Sequence, residues 1–339
     1  SNFMLSRQLL GSILNPSIKY LKLAALMAAV FAHGPLIAEQ MDSAYDLMAR
    51  MAKASKELSY KGLFTYEYRG QLRSIKVVHL VRDGKTYERI VHMDGPEREI
   101  VRRGDNLGCL RAADRLLRGS ALKFNNSYAN LQDHYEFYIR GNGRIAGRLV
   151  ALVEVLPKDK LRYGYIVAID KETGLMLQSV LLSQTGKPLE RFQYVDITFG
   201  ADLDNFQLSS EMAESEDIDV NQSACLETNQ AIDAVPSIWE AQWLPPGFVL
   251  SSYQAPDETG QESWMYTDGL AVFSVFVDSN EGTDNFPPLD AKLGTTVAVL
   301  TKAQYKNQLY AVCVVGEIPR STAGQVANAI RPSASMEVE

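Results

Sequence analysis

The segment YGYIVAIDKETGLMLQSVLLSQTGKPLERFQYVDI, residues Tyr163–Ile197, determines the fold class of this chain. It contains three runs of β-branched and aromatic residues, separated by the turns DKETG and QTGKP. Gly and Pro are the residues that such sharp reversals require. Because the connections are too short for crossover helices, the segment predicts three antiparallel strands of one sheet.

The same pattern continues upstream. Strands are predicted at Gly62–Arg69, Ser74–Arg82 and Thr86–Met93, with a turn at Asp83–Lys85. The runs REIVRRG, NLGCLRA, HYEFYIR and GRLVALVEVL extend the series to roughly ten strands, mostly antiparallel. A sheet of this length with an aromatic face has to close into a barrel or to curl around helices and loops.

Two segments are suited to fill such a sheet. Apolar residues recur every three or four positions over residues 40–58, which predicts an amphipathic helix rich in Met. The connection Ala113–Asp133 is long and contains scattered apolar residues, so we expect it to pack on the sheet. A curled sheet filled by such elements is a container for an apolar ligand.

Strand alternation identifies the candidate ligand-binding side chains, because residues two apart in a strand share a face. For each of these side chains, simple packing in the protein core is the alternative interpretation. The container hypothesis depends on all of them together. The predicted lipid-binding residues are Phe64, Tyr66, Tyr68, Phe137, Ile139, Tyr165 and Val167.

Charge and composition divide the rest of the chain. We predict a sheet domain at 39–205, an acidic, strand-poor linker at 206–237, a smaller α+β domain at 238–332 and a tail at 333–339. The stretch Glu39–Arg191 has a net charge of +7, whereas Phe192–Ala291 has no Lys or Arg and a net charge of −19. The basic residues are not clustered, which argues against nucleic-acid binding.

The N-terminus has the pattern of a signal peptide. Basic residues precede the apolar run Leu23–Phe31, and Ala38 follows at a suitable cleavage position, so residues 1–38 are predicted to be removed. Residues 1–3 lie ahead of Met4, where translation is expected to start. In a bacterium this pattern predicts a periplasmic protein. Whether any two of Cys109, Cys225 and Cys313 form a disulfide stays open.

Motifs for catalysis are missing from the sequence. There is no G-x-S-x-G, no Walker loop and no H-E-x-x-H. The stretch GNGRIAG, Gly141–Gly147, has the wrong spacing for a phosphate-binding loop and lies between strands. His79 and His92 fall on neighbouring strands, but no third metal ligand accompanies them. We therefore predict no enzyme activity, no metal and no cofactor.

Several motifs carry a family resemblance. They are YDLMARMAKASKELSYKG, MDGPEREIVRRGD, the Arg162–Tyr194 stretch, WLPPGF, YTDGLAVFSV and VVGEIPRSTAGQVANAI. In this order they resemble the RseB/MucB family of periplasmic regulators of the envelope-stress sigma factor. The resemblance implies an α+β protein with an N-terminal half-barrel similar to the LolA and LolB lipoprotein carriers, plugged by helices, and a smaller C-terminal domain.

The resemblance also implies a function. Members bind the periplasmic part of an RseA/MucA-like anti-sigma factor, protect it from site-1 proteolysis and are released by lipid or lipopolysaccharide. A lipid or lipoprotein carrier without a regulatory partner is the first alternative, and an enzyme acting on lipid or glycan is the second. A homo-oligomer also stays open.

Two further expectations concern the small domain. Aromatic residues often anchor protein interfaces, and Trp264 and Tyr266 share one face of a predicted strand next to the TDG turn. They are our candidate partner-binding residues, with core packing as the alternative. The opposite net charges of the two halves predict a polar contact between the domains that salt weakens.

Overall fold

The computed structural model describes residues 43–96, 98–103, 131–200, 216–219, 226–227, 237–256, 260–279 and 295–333. All of them belong to one compact unit, Ser43–Glu339. The predicted signal peptide, Cys109, Cys225, most of the connection Ala113–Asp133 and the tail beyond Ser333 lie outside the described residues. In the described ranges, no helix has the length and apolar character needed to cross a membrane.

Helix α1, Ala44–Glu57, lies within the range that the apolar periodicity predicts. It begins with a capping box, in which the side chains of Ser43 and Asp46 each accept a hydrogen bond from the other's backbone N–H. One stripe of the helix is buried, and it consists of Leu47, Met48, Met51, Ala52 and Ala54.

The large lobe contains α1 and a sheet of ten strands, and its described residues lie within 43–219. A short helix, α2, spans Leu131–His134. The strands are β1 Tyr60–Tyr68, β2 Gln71–Arg82, β3 Lys85–His92, β4 Arg98–Arg103, β5 Tyr135–Ile145, β6 Arg148–Pro157, β7 Gly164–Asp170, β8 Met176–Leu182, β9 Pro188–Phe199 and β10 Glu216–Asp219.

The strand order of this sheet is β10-β4-β3-β2-β1-β9-β8-β7-β6-β5. Every pairing is antiparallel except that of β10 with β4. The turns Asp83–Gly84 and Ala146–Gly147 have positive φ at both central positions, as tight hairpins require. Because β5 and β10 do not pair with each other, the sheet is open. The predicted antiparallel half-barrel is confirmed.

The core of the large lobe lies between the sheet and α1. Buried side chains of α1 belong to one core with buried residues from every strand from β1 to β9. Apolar burial of this kind is the main term that stabilises such a lobe, at about 25 cal/mol for each Å² removed from water. The sheet therefore curls around its own helix, and the interior is filled.

The small lobe is α+β, as predicted, with described residues between 226 and 333. Its six-stranded sheet has the order β11-β13-β14-β15-β17-β16, and β12 pairs with β18 in a separate ribbon. The elements are β11 Leu226–Glu227, β12 Trp239–Ala241, β13 Val249–Gln254, β14 Gln261–Thr267, β15 Val272–Asp278, β16 Val297–Tyr305, β17 Gln308–Gly316, α3 Arg320–Ala329 and β18 Ile330–Pro332.

The segment predicted as a strand-poor linker contributes to both sheets. β10 pairs in parallel with β4 of the large lobe. β11 pairs with β13 of the small lobe. Both strands are short and acidic, and β-propensity is low for Asp and Glu, so the residue pattern gave little sign of them.

Candidate functional site

The interior of the large lobe contains four of the predicted lipid-binding residues. Phe64, Tyr66, Tyr165 and Val167 are all buried in one apolar core. The ring centroid of Phe64 lies 4.7 Å from that of Phe192 of β9. Strand alternation therefore placed these four side chains on one face, and that face is the concave side of the sheet.

The remaining three residues lie nearer the rim. Phe137 is half-buried, and its ring meets the Tyr45 ring of α1 edge-on at 6.3 Å. Tyr68 is half-buried and lines the cleft between the lobes. Ile139 shares a face with Phe137 but is 40% exposed, because β5 is the last strand of the sheet and less of the core covers it. It does not face a closed interior.

Helix α1 occupies the concave side as a plug. Met48 and Met51 are fully buried there, and their flexible thioether side chains adapt to irregular apolar space. A hydrogen bond from Arg50 Nη2 to the Lys171 carbonyl at 3.1 Å ties the helix to the turn after β7. In the same turn, a Cβ at Gly174 would lie 3.5 Å from that of Ala54.

The apolar interior also contains a polar group on Tyr165. The Tyr165 hydroxyl is buried and makes no hydrogen bond in the described part of the chain. Burial raises the pKa of Tyr165 well above its ordinary value, so the hydroxyl stays neutral. A buried hydroxyl without a partner costs about 1–3 kcal/mol, and a polar group of a ligand would satisfy it.

The lobes meet in a buried ion pair. The Arg162 side chain, which precedes β7, is fully buried, and its Nη1 lies 2.6 Å from Oδ2 of the equally buried Asp268 in the turn after β14. Its Nη2 donates to the Pro246 carbonyl, and its Nε lies 3.2 Å from the carboxylate of Asp159. The guanidinium thus bonds to both lobes in a fixed geometry.

Further residues surround Asp268. We call this contact between the lobes, built on Arg162 and Asp268, the joint. The Tyr135 O–H donates to Oδ2 at 2.8 Å, and the backbone N–H groups of residues 270 and 271 donate to Oδ1. The rings of Tyr135 and Phe248 lie against the Arg162 guanidinium at 5.5 and 5.2 Å. Burial and the Asp268 charge raise the pKa of Tyr135. Both charges are therefore neutralised and hydrogen-bonded.

Close packing surrounds the ion pair. Leu270 of the small lobe is fully buried within the core of the large lobe. Gly247 has φ +86, and a Cβ there would lie 2.2 Å from Nε2 of His134, so only Gly fits. The Thr322 hydroxyl of α3 donates to the Leu161 carbonyl at 3.0 Å.

Within the described residues, the contact between the lobes is not the exposed-charge contact that the sequence predicts. Exposed opposite charges would give a contact that salt screens. The joint contains a desolvated ion pair within apolar packing, which salt screens much less. The net charges of the two halves give no sign of this buried pair, which forms part of the contact between the lobes.

A second contact between the lobes borders a cleft. The backbone N–H and the hydroxyl of Thr295 lie 3.2 and 3.1 Å from Oε2 of Glu190 and donate to it. Burial raises the pKa of Glu190, against the effect of these hydrogen bonds. The cleft has a volume of about 610 Å³, and its lining includes Tyr68, Arg69, Tyr163, Leu189, Arg191 and Arg320.

The candidate partner-binding residues lie in the core of the small lobe. Trp264 and Tyr266 are 6% and 8% exposed. Tyr266 stacks on Phe273 at 5.3 Å, and burial raises the pKa of Tyr266 to about 12. An exposed anchor formed by these two rings does not fit their burial, since the face of β14 that carries them is packed. Their role in partner binding stays a prediction.

The structure also shows the positions of residues that the sequence analysis considered for a metal site or a disulfide. His79 lies opposite Glu88 rather than His92, with Nδ1 3.6 Å from the Glu88 carboxylate. No group of three or more His, Cys, Asp or Glu side chains within the described ranges could hold a metal ion. Cys313 is a buried free thiol, and burial raises its pKa to about 11.

Two family models match this chain and together cover both lobes. The model of the MucB/RseB N-terminal domain matches residues 43–212, and that of the MucB/RseB C-terminal domain matches residues 233–331. The chain belongs to the MucB/RseB family. The resemblance seen in the sequence motifs is therefore confirmed.

Relatives match over most of their length. The sigma factor AlgU regulatory protein MucB of Pseudomonas aeruginosa is 34% identical over 88% of this chain and 94% of its own. The sigma-E factor regulatory protein RseB of Escherichia coli is 28% identical over 84% of this chain and 89% of its own.

Solved structures show the same two-lobed fold. A crystal structure of MucB in complex with MucA(peri) has a TM-score of 0.64 at 33% identity, over 86% of this chain and 100% of that chain. A crystal structure of MucB alone has a TM-score of 0.61 at 32% identity, over 86% of this chain and 98% of that chain.

The joint is the feature that the sequence interpretation missed. Asp268 lies in the TDG motif and Pro246 in WLPPGF, which had been interpreted as a hairpin turn and as the start of a domain. The available signal was that both are among the motifs that carry the family resemblance. In the structure they are the part of the small lobe that binds Arg162.

Proposed function

We propose that this chain is a periplasmic, non-enzymatic regulator of an envelope-stress sigma factor. It binds the periplasmic part of an RseA/MucA-like anti-sigma factor and protects it from site-1 proteolysis. Lipid or lipopolysaccharide releases it. The observation that carries the proposal is the match over nearly the whole chain to MucB, whose crystal structure was solved in complex with MucA(peri).

The large lobe supplies the ligand-sensing part of the proposal. Its concave face is apolar, and the Met side chains of α1 pack against it. Hydrophobic contact is non-directional, so an acyl chain replaces such a plug without a specific geometry. We infer that the ligand displaces α1, and that the free Tyr165 hydroxyl meets a polar group of the ligand.

The joint supports a regulator over the alternative of a simple carrier. A carrier needs only the large lobe, and nothing in its task requires a second lobe fixed by a buried ion pair. Packing through Leu270 and the Arg162–Asp268 pair makes the small lobe part of the same body. A change in the large lobe is thereby transmitted to a surface on the small lobe.

The test is a protection assay with purified components. The periplasmic segment of an RseA/MucA-like anti-sigma factor is incubated with a site-1 protease, with and without this chain. We expect the chain to slow cleavage, and a lipopolysaccharide or acyl-chain ligand to restore it. Unchanged cleavage in the presence of excess chain contradicts the regulatory function. Acyl binding without any protection favours the carrier.

A further inference from the structure

The cleft between the lobes, with its volume of about 610 Å³, carries an excess of positive charge. Its lining includes three arginines, Arg69, Arg191 and Arg320, and two carboxyl side chains, Glu67 and Glu190. The three arginines are exposed, and none of them makes an ion pair with any residue that the structure describes. A cleft lined mainly by one sign of charge concentrates ligands of the opposite sign. The lining therefore indicates an anionic ligand.

The two carboxyl groups offset this positive charge only in part. Glu67 lies opposite Arg191 in the β1–β9 ladder, where the two opposite charges balance each other. Burial raises the pKa of Glu190, against the hydrogen bonds that this carboxyl accepts, and so increases the share of its neutral form. Arg69 and Arg320 are thus the charges of the cleft that no neighbouring carboxylate balances.

These two arginines approach the cleft from different lobes. Arg69 lies in the tight turn after β1, and its guanidinium lies 5.2 Å from the centroid of the Tyr68 ring. Arg320 is the first residue of α3, and the N-cap of this helix, Pro319, makes no side-chain hydrogen bond to the first turn. The unpaired backbone N–H groups at a helix N-terminus add a partial positive charge. An anion in the cleft is therefore attracted from both sides.

The wall of the cleft on the side of the large lobe is apolar. Tyr68, Tyr163 and Leu189 line the cleft and also pack against the core of the large lobe. Tyr163 is two residues from Tyr165, so the two side chains are directed to the same face of the sheet. A molecule with its polar end in the cleft thus has its apolar end beside the interior of the large lobe.

Phosphate is the anion that this arrangement fits best. A phosphomonoester carries a charge of about −1.5 to −2 near pH 7. Guanidinium groups bind phosphate oxygens through paired, charge-assisted hydrogen bonds. The volume of the cleft lies within the range of small-molecule sites, about 300–1,000 Å³, and so leaves room for more than a phosphate ion.

We propose that the cleft binds the phosphomonoester headgroup of an acylated ligand, with Arg69 and Arg320 on the phosphate. The acyl chain then passes Tyr68 and Tyr163 into the large lobe. This site rests on the acyl-binding function proposed above and adds to it the part of the protein that selects among acylated molecules. Because the two arginines belong to different lobes, the bound headgroup bonds to both lobes at once.

Two lipids that differ only in the phosphate test the headgroup site. They are dihexanoyl phosphatidic acid and dihexanoylglycerol, and isothermal titration calorimetry with the full chain gives both dissociation constants. We expect the wild-type chain to bind the phosphatidic acid about tenfold or more tightly, because only this lipid makes charge-assisted hydrogen bonds. The preference should shrink at about 1 M salt, since both arginines are exposed and their charges are then screened.

A double variant tests the two assigned residues. Arg69→Gln with Arg320→Gln should lower the ratio of the two affinities to about twofold or less. The matched control is Lys61→Gln with Lys302→Gln, which removes the same charge from exposed positions outside the cleft, one in each lobe. The control should keep the wild-type ratio. A general folding defect lowers both affinities, so the ratio reports on the headgroup.

Inorganic phosphate separates two sources of the same chemistry, a lipid headgroup and the free ion. A headgroup site should bind inorganic phosphate at least about tenfold less tightly than the phosphatidic acid, because the free ion lacks the apolar contact of the acyl chains. Inorganic phosphate that binds as tightly as the lipid would assign the cleft to the free ion and overturn the proposed headgroup site.

Three further results overturn the headgroup site. Equal affinities of the wild-type chain for the two lipids would exclude it and leave the acyl-binding function standing. A double variant that keeps the wild-type ratio would exclude Arg69 and Arg320 as the phosphate ligands. If neither lipid binds, the headgroup site and the acyl-binding function both fail.

Discussion

The interior of the large lobe and the joint between the lobes are buried to a similar degree but by opposite means. The interior consists of aliphatic and aromatic side chains, and its Tyr165 hydroxyl is left without a partner. The joint is built on two charges whose hydrogen bonds are made in fixed directions. Apolar contact tolerates exchange of one occupant for another, whereas a buried ion pair tolerates only its own partner. The first region is suited to sensing and the second to holding the lobes together.

Breaking the joint should have the largest effect on stability. Arg162→Ala leaves the Asp268 carboxylate buried without its counter-ion, and we expect the free energy of unfolding to fall by about 3–5 kcal/mol. Lys53→Ala removes an exposed ion pair with Glu57 and should change the free energy of unfolding by less than about 1 kcal/mol. Urea denaturation of both variants measures the difference. Equal effects would mean that the joint is no stronger than a surface pair.

Salt provides a second test of the same contrast. Because the ion pair is buried, the separation of the lobes should not change between low salt and about 1 M salt, where exposed charges are screened within about 3 Å. Small-angle scattering profiles should overlay across this series. A change of the profile with salt alone would restore the exposed-charge contact that the sequence predicted.

Changing Tyr165 tests the apolar interior. Tyr165→Asp places a carboxylate among apolar side chains, at a cost of several kcal/mol unless it takes up a proton. We expect loss of binding of a fluorescent acyl probe, measured by titration. Tyr165→Phe removes only the hydroxyl that has no partner, so its stability should change by about 1 kcal/mol at most, toward greater stability. Probe binding by Tyr165→Asp equal to that of wild type would exclude this interior as the ligand site.

The smallest expected effect concerns Glu190 and depends on pH. Burial raises the pKa of this carboxyl in the folded chain. The stability that the protonated carboxyl contributes is therefore complete below the pKa that Glu190 has in the unfolded chain, and it is lost as pH rises through the pKa of the folded chain. Glu190→Gln cannot ionise but still accepts from Thr295. It should therefore be more stable than wild type at about pH 8, with a difference that shrinks toward about pH 4. The exposed Glu240→Gln should give no such trend in urea denaturation.

Local patterns in the sequence were enough to predict much of the fold and the inward placement of some candidate site residues. The strands around Tyr163–Ile197, the tight turns and the inward position of Phe64 and Tyr165 follow from period-two alternation and turn chemistry. The Arg162–Asp268 pair joins residues 106 positions apart, and no local pattern encodes that distance. For Trp264 and Tyr266 alternation gave a shared face, but whether that face is exposed depends on what packs against it.

The central claim is that an acyl ligand acts by displacing α1 from the concave sheet. The close approach of Ala54 and Gly174 brings two Cβ atoms within the usual disulfide range of about 3.5–4.5 Å. Because Gly174 has φ +82, a Cys there strains the turn, so the reduced variant also serves as the control for folding. We propose Ala54→Cys with Gly174→Cys, in a chain with Cys109 and Cys225 replaced by Ser. The bond would fix the helix when oxidised and free it when reduced.

The decisive measurement is the rate of site-1 cleavage of the anti-sigma segment in the presence of this variant, with and without an acyl ligand. The oxidised protein should protect the segment and ignore the ligand. The same protein after reduction should protect it until the ligand is added. An oxidised protein that releases the segment as readily as the reduced one would contradict the displacement of α1.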